Sequence, residues 1–122
     1  MDSPNKKFEA GVEIFSEGAA PTAIFIITKG SVSVRKKTES GFVEIAVIEP
    51  GEFLGEVSFF DREPRSASAV ALTDVELAEI SFAYLDKLFG ATPKYLKVLI
   101  RGMALRLRKS NELIWKLKTT GT

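Results

Sequence analysis

The sequence predicts a mainly β domain that closes with two helices. Two observations carry this. From Lys7 to about Ser81, short apolar stretches are cut at close intervals by Gly, Pro and Ser, the punctuation of an all-β sandwich or barrel. After Ile80 the period changes to a helical one, and from Pro93 to about Lys118 only Gly102 interrupts a run of helix formers.

In the β part, "EIF" ends at "SEGAAP", "AIFIIT" at "KG", "SVSVRKK" at "TESG" and "VEIAVI" at "EPG". Val32 and Val34 alternate with polar residues and so share one strand face. "SASAVAL" and "DVELAEI" are expected to close the sheet as a strand pair around a turn at Thr73 and Asp74. Ser81 is the N-cap expected for "FAYLDKLF", with Gly90 ending that helix; Thr92-Pro93 then starts the long one.

The long helix carries two apolar stripes. Ile100, Leu107 and Ile114 recur every seven residues, accompanied by Leu96, Met103, Ser110 and Leu117, a coiled-coil seam with one polar member. Tyr95, Val98, Leu99, Gly102 and Leu105 form a second face. Either a partner helix covers one stripe, or both belong to one wide core face.

Composition narrows the function. The 122 residues suit a single domain, 1–122, that buries a core without staples. Neither Cys nor His occurs, which excludes disulfides, Cys/His zinc sites, Ser-His-Asp or Cys-His catalysis and histidine pH sensing. The apolar run "AIFII" is far too short to span a bilayer, and a cytoplasmic protein is expected. Residues 1–92 hold 9 Lys/Arg against 15 Asp/Glu, whereas residues 93–122 hold 8 Lys/Arg against Glu112 alone. A basic helix invites a nucleic-acid reading, but without aromatic interleaving or a reading motif specific nucleic-acid binding is not expected.

The densest chemistry lies in "GEFLGEVSFFDREPRSASAV", residues 51–70. Gly55 permits close backbone approach, and a short helix over 55–60 would aim the N–H groups of Gly55, Glu56 and Val57 at an anion. Arg65 offers a fork of donors that fits phosphate oxygens; Glu56 can accept from hydroxyls. The plainer alternatives are that Glu56 complements a helix N-terminus and that Arg65 pairs with Asp61 or Glu63.

These segments, in order and at this spacing, resemble the cyclic nucleotide-binding domain family, which includes the sensor domain of the catabolite activator protein and the regulatory subunits of cyclic-nucleotide-dependent kinases. The resemblance runs from "FEAGVEIFSEG" through "FIITKGSVSV" to "ELAEIS" and is most specific at Gly55-Glu56-Val57-Ser58 with Pro64-Arg65-Ser66-Ala67, the family's phosphate-binding cassette. It implies a β-jelly-roll, a double-stranded β-helix barrel over about 7–81, with a short and a long helix over about 82–118. It also implies a cyclic mononucleotide ligand, cAMP favoured and cGMP possible, with no other cofactor and no enzymatic activity. Gly55, Glu56, Val57, Ser58 and Arg65 would hold the phosphate and ribose, Glu56 taking the ribose 2'-hydroxyl, and Ser66 would donate to the phosphate or to the base.

Alignment with the family's long helix puts Ser110 and Asn111 at the base, although Ser110 is equally a register-setting polar residue of the seam. Phe15, Ile45 and Ile48 are the expected apolar walls. A homodimer through residues 96–117 and an effector protein of unknown identity would complete the signalling module. Neither the family's leading helices nor an effector domain is expected within residues 1–122. Two alternatives stand beside this reading: a nucleotide-independent dimerisation or adaptor module using the basic helix, and a cupin-like enzyme, disfavoured by the lack of histidine.

Overall fold

The computed structural model describes residues 5–120; the polar start, residues 1–4, and residues 121–122 lie outside them. The chain order is β1 (Asn5–Phe8), β2 (Glu13–Phe15), β3 (Ala23–Lys29), β4 (Val32–Thr38), β5 (Gly41–Ile48), β6 (Phe53–Leu54), α1 (Glu56–Asp61), β7 (Ser68–Ala71), β8 (Val75–Ser81), α2 (Phe82–Gly90) and α3 (Lys94–Thr120). The strands form two four-stranded sheets, β1-β8-β3-β6 and β2-β7-β4-β5, in which every pairing is antiparallel. This is the expected jelly-roll with C-terminal helices, as two facing sheets rather than a closed barrel.

The expected closing pair is not a hairpin. β7 pairs with β2 and β4, whereas β8 pairs with β1 and β3, so the turn at Thr73 and Asp74 carries the chain from one sheet to the other. The connection from β3 to β4 crosses beside it: Ser31 N–H donates to Thr73 Oγ1 (3.1 Å), and Leu72 N–H donates to the Ser31 carbonyl (2.9 Å). Gly30 makes the approach possible. Its φ is +86°, and a Cβ there would lie 2.2 Å from the Asp74 carbonyl oxygen. Among the described residues, only β4 and β5 form a simple hairpin.

Period-two patterning divides the apolar residues. Ala23, Phe25 and Ile27 of β3 face Val32, Ala69, Ala71, Val75 and Leu77 between the sheets, while Ile24 faces outward to Phe59 of α1 and Phe82 of α2. Phe59, Phe60, Phe82 and Phe89 meet edge to face or tilted, with ring centroids 4.9–5.9 Å apart. Helix α2 starts as expected: Ser81 Oγ accepts from Tyr84 N–H (3.1 Å).

Helix α3 contradicts the idea of one wide core face. Besides Lys97, the residues shielded from solvent are Leu96, Ile100, Ala104, Arg108, Asn111 and Trp115, a stripe of spacing three to four with a polar second half. Met103, Leu107, Ser110, Ile114 and Leu117 stay exposed, as do Tyr95, Val98, Leu99 and Leu105. No helix of the described chain is long and apolar enough to cross a membrane.

Candidate functional site

Helix α1 is a helix of six residues held between two left-handed positions. Gly55, its N-cap, has φ +82°, and Arg62, its C-cap, has φ +59° while its N–H returns to the Ser58 carbonyl. Beyond Arg62 the chain doubles back so that Arg65 lies behind the start of the helix. Its backbone is fixed by paired bonds to the β2–β3 connection, Arg65 N–H to the Ala19 carbonyl (2.9 Å) and Gly18 N–H to the Arg65 carbonyl (2.8 Å).

The Arg65 side chain is 5 % exposed. It donates to the carbonyls of Gly55 (3.1 Å) and Ala23 (2.6 Å) and lies over the Phe15 ring, 4.2 Å from its centroid. Gly55 is therefore required twice: its backbone is left-handed, and a Cβ would sit 2.5 Å from Arg65 Nη1. The local pairing considered for Arg65 does not occur. Asp61 is taken instead by Arg108 of α3, and among the described residues no ion pair involves Glu63.

Glu56 and Arg65 feel each other without forming a direct ion pair. Burial pushes the Glu56 carboxyl above the usual glutamate range; a backbone hydrogen bond and the Arg65 charge oppose that shift only in part. Burial likewise lowers the Arg65 guanidinium, and Glu56 offsets it. An acid and a base held close, desolvated and not mutually neutralised form a site that favours a ligand bearing both an anion and hydroxyl donors.

Both residues line a cavity of about 180 Å³. One side is polar backbone and cassette: Gly55, Glu56, Val57, Ser58, Arg65, Ser66 and Ala67. The other is apolar, from Phe15, Val34, Ala46, Ile48, Phe53 and Leu54, and Leu107 and Asn111 of α3 reach it from above. All six cassette residues singled out from the sequence thus share one cavity wall.

Other sequence expectations divide. Phe15 and Ile48 line the cavity, whereas Ile45 is buried but does not: it is the residue skipped between the pairs Val34–Ala46 and Arg35–Glu44, and Ala46 takes its place. Asn111 lines the cavity while Ser110 is exposed on the outer stripe, because neighbouring helix positions cannot share a face. Arg108, Leu107, Val34, Ala46 and Phe53 were not anticipated. Arg108 and Leu107 had a sequence signal, lying three and four residues before Asn111 on the helix.

The profile of the cyclic nucleotide-binding domain family matches residues 5–92. A CRP-like cAMP-activated global transcriptional regulator from Mycobacterium tuberculosis is 30% identical over 105 residues, covering 85% of this chain and 47% of the regulator. The cAMP-activated global transcriptional regulator CRP of Salmonella typhimurium is 33% identical over 113 residues, covering 91% and 54%. The chain thus spans about half the length of these curated relatives. Among solved structures, the cAMP-bound form of the EAL enzyme Bd1971 superposes with a TM-score of 0.82 at 30% identity, covering 88% of this chain and 29% of that one. The matched residues contain the sandwich, the cassette and Arg65, and on this ground the chain belongs to the cyclic nucleotide-binding domain family.

Proposed function

We propose that this domain is a regulatory sensor of a cyclic mononucleotide, with cAMP preferred to cGMP. In this reading the ligand phosphate meets the N–H groups at the start of α1 and the guanidinium of Arg65, two of whose five donors are committed to carbonyls. Glu56 accepts the ribose 2'-hydroxyl, Val57, Ser58 and Ser66 complete the cassette wall, and Asn111 meets the base. The supporting observation is the meeting of Gly55, Glu56, Arg65 and Asn111 around one cavity, drawn from two segments of the chain. Solved forms of Bd1971 with cAMP and with cGMP are both similar to this chain, so either nucleotide suits the fold.

Signalling would run through α3. Its exposed stripe Met103, Leu107, Ser110, Ile114 and Leu117 alternates steps of four and three, the spacing of a coiled-coil seam, and a second copy is the occupant proposed for it. Ser110 would then serve the seam or the partner's ligand. An effector protein would read the result, and the setting proposed is the cytoplasm. Calorimetric titration with cAMP and cGMP tests the core of this: saturable binding is expected, tighter for cAMP. Absence of binding of both nucleotides up to millimolar concentration overturns it.

A further inference from the structure

The cavity is small for its proposed ligand. Pockets for ligands of nucleotide size run roughly 300–1,000 Å³, against about 180 Å³ here, and Leu107 and Asn111 are the α3 residues that limit it. Lys118, which donates to the Glu44 carbonyl at 2.6 Å, ties down the far end of the helix, and one residue between Leu107 and Asn111 ties it to α1. Arg108 grips the Asp61 carboxylate with two nitrogens, Nε to Oδ2 and Nη2 to Oδ1 (3.2 Å), across 47 residues of sequence. Its Nη2 also donates to Ser58 Oγ at 3.4 Å. The two charged side chains are only 12% and 15% exposed, unlike the solvated pairs Lys6–Glu79, Lys7–Glu76 and Arg62–Asp86.

Asp61 and Ser58 belong to the same short helix whose first residues line the cavity. Helix α1 is roughly 9 Å long at 1.5 Å per residue, so its cavity end and its latch end move as one body. Ser58 belongs to both, lining the cavity and touching Arg108. We propose that Arg108 is a positioning residue that latches α3 across the cavity, and that release of Arg108 from Asp61 is the step that admits a ligand. This rests on the cavity being the ligand site. The apparent affinity of a site whose open form is a minor population is reduced by that population, so loosening the latch speeds and tightens binding.

That direction separates a latch from a merely structural contact, whose loss would weaken binding. The test is stopped-flow association of a fluorescent cAMP analogue with Arg108→Gln, Asp61→Asn, the double variant and Arg108→Lys. Amide hydrogen exchange of residues 94–118 without nucleotide runs in parallel. Each neutralising variant is expected to raise the association rate about tenfold, the equivalent of about 1.4 kcal/mol. The Arg108–Asp61 contact is lost in all three, so the double variant should fall well short of the sum of the two single ones, and Arg108→Lys should lie between wild type and Arg108→Gln. Exchange in α3 should quicken in the neutralised variants. Slower or unchanged association in both single variants, additive effects in the double, or unchanged α3 exchange overturns the proposal. If the wild type takes up no nucleotide while α3 exchange still quickens, the latch stands and the ligand assignment fails.

Discussion

Replacing Arg65 by leucine separates what the arginine does for the fold from what it does for a ligand. In the fold it satisfies the carbonyls of Gly55 and Ala23 and covers Phe15. Leucine restores the cover but leaves both carbonyls without that donor, at about 1–3 kcal/mol for each buried unsatisfied group. Removing a desolvated charge returns part of this. A net loss of about 2–3 kcal/mol leaves a domain of ordinary stability, about 5–15 kcal/mol, still folded. At roughly 3–6 °C per kcal/mol for a chain of this size, Tm should fall by about 6–18 °C. The ligand loses more, since charge-assisted hydrogen bonds contribute about 1.5–3 kcal/mol each: two of them correspond to at least a hundredfold in Kd. Thermal unfolding and calorimetric titration with cAMP on the same samples provide the two numbers. A Tm within 2–3 °C of wild type (about half a kcal/mol) would refute the structural half. A Kd within threefold (about 0.6 kcal/mol) would refute the assignment of the phosphate site.

Gly55→Ala forces a side chain into a left-handed position, at about 1–2 kcal/mol, and drives its Cβ against Arg65 Nη1; lower urea midpoints and weaker cAMP binding are expected, and wild-type values in both would count against the reasoning. Glu56→Gln should alter the pH dependence of stability. The folded-state pKa of Glu56 is raised, so the native state holds this proton more tightly than the unfolded chain does, and the wild type loses stability as pH climbs from the ordinary glutamate range through the raised value. The glutamine variant should therefore gain on the wild type across that window and match it below, as read from urea midpoints between pH 4 and 8; parallel curves would dismiss the burial effect. Met103→Glu with Leu117→Glu places charges on the exposed stripe of α3 and should convert the proposed dimer to a monomer in light scattering; a wild type that is already monomeric, or a variant that stays dimeric, would refute the proposed seam.

The β part and the cassette could be read from the sequence because each rests on local rules. A short apolar run marked β3, alternation at Val32 and Val34 marked β4, and Gly55 with Arg65 marked a point of close backbone approach beside a fork of donors. The failures are non-local. Nothing in "ALTDVEL" distinguishes a hairpin turn from a crossing between sheets; the difference is the Ser31 bond to Thr73 and the close approach at Gly30, some forty residues away. β1, "NKKF", is mostly polar and exposed, and it exists because β8 offers an edge to pair with. Ile45 is an expected cavity wall and an equally good core residue by sequence, and a bulge one residue wide leaves it in the core and gives the wall to Ala46.

Helix α3 shows why heptad spacing described its outer face and reached only the apolar start of its inner one, Leu96 and Ile100. Spacing detects apolar residues, and the half of the inner face that reaches the site is Arg108, Asn111 and Trp115, a sequence that resembles a solvated stretch until Asp61, the cavity and Lys36 are opposite it. Lys36 in turn holds the Ser66 carbonyl at 2.8 Å, so the second arm of the cassette also touches this helix through one intermediary. Leu107 belongs to both faces, lining the cavity while still 41% exposed on the outer stripe. Any partner that buries this stripe must contact a residue of the cavity wall, and any ligand that displaces Leu107 must disturb the stripe. The two events are therefore linked through a side chain they share, and by reciprocity each must change the free energy of the other by the same amount.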